Sequence, residues 1–141
     1  MNRNKDDFSH YFSVVLPECK VPLKAMLISA GHERTSDHAN YRNSGACAAK
    51  RARVIWQYTL SGEGEVFLDG KRFAVPPDSG MLLVVPGDYL SRISKDSPFW
   101  EFSFVDLVGE EAAVPREGAA LGEVRPAVLV GIEVGVVHVG V

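Results

Sequence analysis

Cysteine is nearly absent. Cys19 and Cys47 are the only two in 141 residues, and they form neither a C-x-x-C pair nor a zinc-ligand spacing. A secreted disulfide scaffold would be far denser in them. The polar start, Met1 to Asp7, lacks the apolar region of a signal peptide, so a cytoplasmic location is expected. Long hydrophobic runs are also missing. Val128 to Val141, the longest, is broken by Glu133 and His138 and falls short of the ~20 residues of a membrane helix, so no membrane partner is expected. There is no basic excess: 15 Lys+Arg stand against 18 Asp+Glu, a net charge of −3. Nucleic-acid-binding domains carry a basic face, so this chain alone is not expected to bind DNA specifically. No G-x-S-x-G, P-loop or H-E-x-x-H occurs, and catalysis is not expected. Disorder is excluded by a 46% hydrophobic content.

What is present reads as short strands separated by turns. Leu23 to Ala30 is an apolar run closed by Gly31, and the polar stretch His32 to Arg53 reads as a loop. Val54 to Leu60 is rich in β-formers, with Val54, Trp56, Tyr58 and Leu60 sharing one face at period two. Asp69-Gly70 predicts a two-residue type I′ hairpin in which Leu68 faces Lys71, Val66 faces Phe73 and Phe67 faces Arg72. Met81 to Val85 is an apolar strand between Pro/Gly turns, followed by Tyr89 to Ser94. Phe99 to Val105 alternates, with Trp100, Phe102 and Phe104 on one face and Glu101 and Ser103 on the other. No helical period extends over three turns within 1–108. Short strands at this spacing predict a sandwich or barrel whose interior can hold one ligand.

Composition changes after Val108. Every aromatic residue lies at or before Phe104, and the segment 109–141 has no Lys and repeats Val and Gly. The expected division is a domain over 1–108 and an atypical Gly/Val-rich tail over 109–141, produced by truncation or a reading-frame change. A linker followed by an edge strand is the alternative.

Four motifs in order resemble a known family. They are Trp56 to Gly64, Phe67 to Gly80, Val84-Val85-Pro86-Gly87, and Pro98-Phe99-Trp100-Glu101-Phe102. Together they look like the N-terminal sensor domain of AraC-type transcriptional regulators, over roughly Tyr11 to Val108. The resemblance implies a mainly β, cupin-like jelly-roll barrel of short antiparallel strands. It also implies a small-molecule effector, such as a sugar or an acidic metabolite, and pairing into a homodimer. DNA would be read only through a C-terminal helix-turn-helix domain missing here. The alternatives are a stand-alone small cupin enzyme and a non-functional gene fragment.

Metal-binding cupins use two His and a Glu before the first Gly-rich turn and a further His after Pro-Gly. Val54, Ile55 and Asp88-Tyr89-Leu90 stand at those places, so no metal and no cofactor are expected. The polar cluster His32 to His38 reads as a solvated loop, as does the basic run Lys50, Arg51 and Arg53. The aromatics Trp56, Tyr58, Trp100, Phe102 and Phe104 are either core or the wall of a ligand pocket. In sugar-sensing members the strand beginning at Trp100 gives a His and then an aromatic to the pocket. By resemblance these fall on Phe102 and Phe104, which removes the hydrogen-bonding His and keeps the stacking ring. Arg92 replaces a pocket Tyr; it either meets an acidic ligand or lies on the surface. The candidate ligand-binding set is therefore Trp56, Tyr58, Arg92, Trp100, Phe102 and Phe104.

Overall fold

The computed structural model describes residues 4–14, 24–46, 53–109 and 127–130. Among them lie ten strands and no helix: β1 (Phe8–Ser13), β2 (Met26–Thr35), β3 (Arg42–Ser44), β4 (Arg53–Gly62), β5 (Gly64–Leu68), β6 (Lys71–Val75), β7 (Ser79–Val85), β8 (Tyr89–Ile93), β9 (Trp100–Val108) and β10 (Ala127–Val130). One sheet runs β1-β2-β9-β4-β7-β10 and the other β3-β8-β5-β6, with every pairing antiparallel. Without the flanking β1 and β10, the eight remaining strands form two four-stranded sheets, β2-β9-β4-β7 and β3-β8-β5-β6. That is the double-sheet arrangement of a jelly roll. The fold is mainly β and cupin-like, as expected.

The hairpin forms as its turn residues dictate. Asp69 (φ 49°) and Gly70 (φ 73°) both adopt positive φ, and Leu68 opposes Lys71, Val66 opposes Phe73 and Phe67 opposes Arg72. A Cβ at Gly70 would meet nothing within 4 Å, so a side chain there acts through backbone strain alone. Gly70→Ala should therefore destabilise the domain by about 1 kcal/mol in urea unfolding, with an unchanged denaturant slope. A neutral outcome would mean that the turn relaxes to another type.

Two segments read as loop are strand. His32 to Thr35 continues β2, and Arg42 to Ser44 is β3. His32 and Arg34 face away from the interior, where Glu101 on β9 meets both, the first at 2.9 Å and the second at 3.2 Å. Their polarity therefore marks a solvent-side face, and the strand alternates around it.

The core lies between the sheets. Val66, Val75, Met81, Ile93, Trp100 and Phe102 are all buried there. In the tail, Ala127 to Val130 pairs with Leu82 to Ser79 at the β7 edge. The remaining tail residues, 110–126 and 131–141, lie outside the described residues, as do Cys19, Cys47, Lys50 and Arg51. Among the described residues no helix is long and apolar enough to cross a membrane.

Candidate functional site

A cavity of about 210 Å³ opens between the sheets. Its position follows from register, because residues directly opposite in an antiparallel pair share a face. Gln57 on β4 opposes Phe104 on β9 and Met81 on β7, and Ile55 opposes Asp106 and Leu83. All of these point inward. Gly31 on β2 opposes Phe104, and a Cβ there would lie 2.7 Å from the Phe104 ring, so the ring lies against bare backbone. The second sheet contributes Tyr89 and Ser91 from β8, and Tyr41 lines the cavity beside Glu33 while packing on Phe102 and Trp100. Phe102 and Leu83 belong both to the buried core and to the cavity wall.

The wall is unusually polar for the inside of a β sandwich. Gln57, Ser91 and Asp106 are 5%, 1% and 8% exposed. Yet Gln57 Nε2, Ser91 Oγ and Asp106 Oδ1 have no hydrogen-bond partner among the described residues. Arg53 Nε is likewise unpartnered, while another nitrogen of the same guanidinium lies 3.5 Å from Asp106 Oδ2. Buried polar atoms are normally paired, since leaving one unsatisfied costs about 1–3 kcal/mol. Four such atoms therefore lie along one cavity, with hydrogen-bonding capacity left for a group that enters it. Burial pushes the Asp106 carboxyl above the usual carboxylate range, and Arg53 only partly opposes this. The Tyr41 hydroxyl is also pushed up, first by burial and then by the Glu33 charge, and it accepts a hydrogen bond from Asn43 Nδ2 at 3.0 Å.

The six residues expected at the site are divided. Phe102 and Phe104 line the cavity. Trp100 is fully buried in the core behind Phe102, with ring centroids 4.8 Å apart. Trp56 and Tyr58 occupy the opposite face of β4, against Val105 and Ser103 of β9, and so do not face the cavity. The Trp56 ring covers Gly80, and the Tyr58 hydroxyl donates to Asp78 Oδ1 at 3.0 Å. Arg92 is on the outer face of the second sheet, opposite Glu65, whose carboxylate accepts from its Nε. Its partner is thus a residue of the chain and not an interior ligand.

The residues missed are the polar ones: Gln57, Ser91, Asp106 and Arg53. Arg53 belongs to β4 and not to a solvated basic loop. The available signal was the strand register, which places Gln57 beside Phe104. Among the described residues, no three of His, Cys, Asp and Glu are grouped so as to hold a metal ion.

No protein-family model matches the chain. No curated protein does either. Among solved structures, YhaK from Escherichia coli is similar at 18% identity and TM-score 0.54, over 77% of this chain and 48% of that one. The putative glyoxylate-induced protein from Pseudomonas aeruginosa is similar at 15% identity and TM-score 0.53, over 86% and 41%. The Cupin_2 domain of an XRE family transcriptional regulator from Enterobacter cloacae aligns more loosely, at 18% identity and TM-score 0.43, over 77% and 98%. The chain thus spans under half the length of the first two, and at these identities the likeness is one of fold.

Proposed function

We propose that this chain is the small-ligand-sensing domain of an AraC-type transcription regulator and that it binds its effector inside the jelly roll. The observation that carries the reading is the row of unpartnered polar atoms on Gln57, Ser91, Asp106 and Arg53 along one aromatic-walled cavity. The ordered sequence motifs support the AraC assignment. DNA contact would belong to a separate domain, and pairing of two copies to surfaces outside the cavity. In this reading the chain acts as a binder and not as an enzyme: Ser91 Oγ, one of several hydroxyls in the cavity wall, has no hydrogen-bonded base among the described residues to activate it. An effector touching Gln57 and Phe104 from one sheet and Ser91 and Tyr89 from the other would hold the sheets in one arrangement. Stabilising that arrangement is how ligand binding would reach a DNA-reading partner domain.

The test is a metabolite library screened by thermal shift, followed by titration of the hits. A ligand at a hundred times its Kd should add about 2.7 kcal/mol to stability. Trp100 emission should change because its ring packs on Phe102, and Trp56→Phe should leave the signal intact. Phe104→Ala should weaken binding about tenfold, the equivalent of ~1.4 kcal/mol. Binding unaffected by both Phe104→Ala and Gln57→Ala would place the ligand elsewhere and sink the reading.

A further inference from the structure

The unpartnered groups also restrict which ligand can enter, an inference that rests on the cavity being the binding site. We infer that the cavity takes an uncharged small molecule presenting both a hydrogen-bond acceptor and an N–H or O–H donor, and that it rejects carboxylates and phosphates.

The argument starts from charge. The ionisable aliphatic side chains in the wall are Glu33, Asp106 and Arg53, two carboxylates against one guanidinium. Arg53 already lies beside Asp106, with 3.5 Å between nitrogen and oxygen. It is therefore not a lone buried cation awaiting an anion. An anionic ligand would be a third negative charge beside Glu33 and the buried Asp106, where like charges penalise one another. Asp106 is already pushed toward its neutral form by burial, and another anion would push it further.

The hydrogen-bond inventory then fixes what the ligand must present. Gln57 Nε2 and Arg53 Nε are donors only and need an acceptor. Asp106 Oδ1, when ionised, is an acceptor only and needs a donor, while Ser91 Oγ can act either way. A carbonyl or hydroxyl oxygen answers the first pair, and an N–H or O–H the carboxylate. The Phe102 and Phe104 rings take an apolar or flat portion of the same molecule. At about 210 Å³ the cavity is below the ~300–1,000 Å³ of drug-sized sites, which suits a single ring or short polyol.

The experiment titrates the whole chain with neutral compounds paired with their acids: nicotinamide with nicotinate, uracil with orotate, and glucose with glucuronate. At least one neutral member should bind at least tenfold tighter than its acid at pH 7. Asp106→Asn removes one carboxylate and should narrow that ratio, while Phe104→Ala should weaken the neutral binder. Acids binding as tightly as their neutral partners, with Phe104→Ala weakening them, would overturn the ligand class and leave the site standing. Acid binding insensitive to Phe104→Ala would remove both. If no neutral member binds, this inference falls, and the site itself is still decided by the wider library.

Discussion

Trp100→Ala is expected to cost about 3–5 kcal/mol, the range for truncating a large buried aromatic, and to lower Tm by roughly 10–15 °C. The ring is 0% exposed. Its Nε1–H donates to Thr59 Oγ1 at 2.9 Å, and the Thr59 hydroxyl donates in turn to the Val75 carbonyl at 3.2 Å. Phe102 lies against it, and the Tyr41 ring meets it edge-on with centroids 6.1 Å apart. Gly64 makes room on the second sheet: a Cβ there would lie 2.2 Å from the indole. Trp100 therefore joins the two sheets, from β9 and Thr59 of β4 to Gly64 of β5. Gly64→Ala alone should destabilise by about 1–3 kcal/mol through overpacking. Combined with Trp100→Ala, the added methyl enters the vacated space, so the double variant should be more stable than the two single losses predict. Additive losses in urea unfolding would show that the ring and Gly64 are not in contact.

The same ring shows what was legible in the sequence. On β9 the bulky residues alternate with Glu101 and Ser103, and the inward face is the aromatic one. On β4 that reasoning selects the wrong face. Val54, Trp56 and Tyr58 do share a side, but Ile55, Gln57 and Thr59 face the interior, and a shift of one residue exchanges the two sets. Apolarity marks the inward face only where the inside is a packed core. Here part of the inside is a polar cavity, so β4 presents an amide to it and an indole outward. The hairpin was legible because Asp69-Gly70 imposes register locally. β3 was not, because three polar residues carry no period. Arg53 and Asp106 were hidden for a further reason: their pairing joins β4 to β9 through residues far apart in the chain.

Glu65→Gln should destabilise the domain by about 1–3 kcal/mol at pH 7 and by progressively less in acid. Glu65 is 0% exposed although it stands on the outer face of the second sheet. The guanidiniums of Arg72 and Arg92 lie over its carboxylate, each donating through Nε. Arg92 also lies over the Phe67 ring, 4.9 Å from its centre, and Arg72 reaches Asp96 Oδ2 at 3.5 Å. Desolvation pushes the Glu65 carboxyl up. The hydrogen bonds from Arg72 and Arg92 and their charges oppose this and leave it below the ordinary value. A carboxyl lowered on folding contributes stability that is present above its unfolded pKa, near 4.3, and is lost as pH falls through the folded value. Asp106 has the opposite sign. Its carboxyl is raised on folding, so the native state takes up its proton first and stability falls as pH rises through that window. Both guanidiniums are about a third exposed, at 39% and 32%, and water screening holds the Glu65 effect to the lower part of its range. In the Gln variant the group no longer ionises, so wild type and variant should converge in stability as pH falls below the ordinary carboxylate value and through the lowered folded one. Asp106→Asn should instead diverge from wild type as pH rises. Parallel curves for wild type and Glu65→Gln across pH 3–7 would show that the two arginines are held by packing and not by the carboxylate between them.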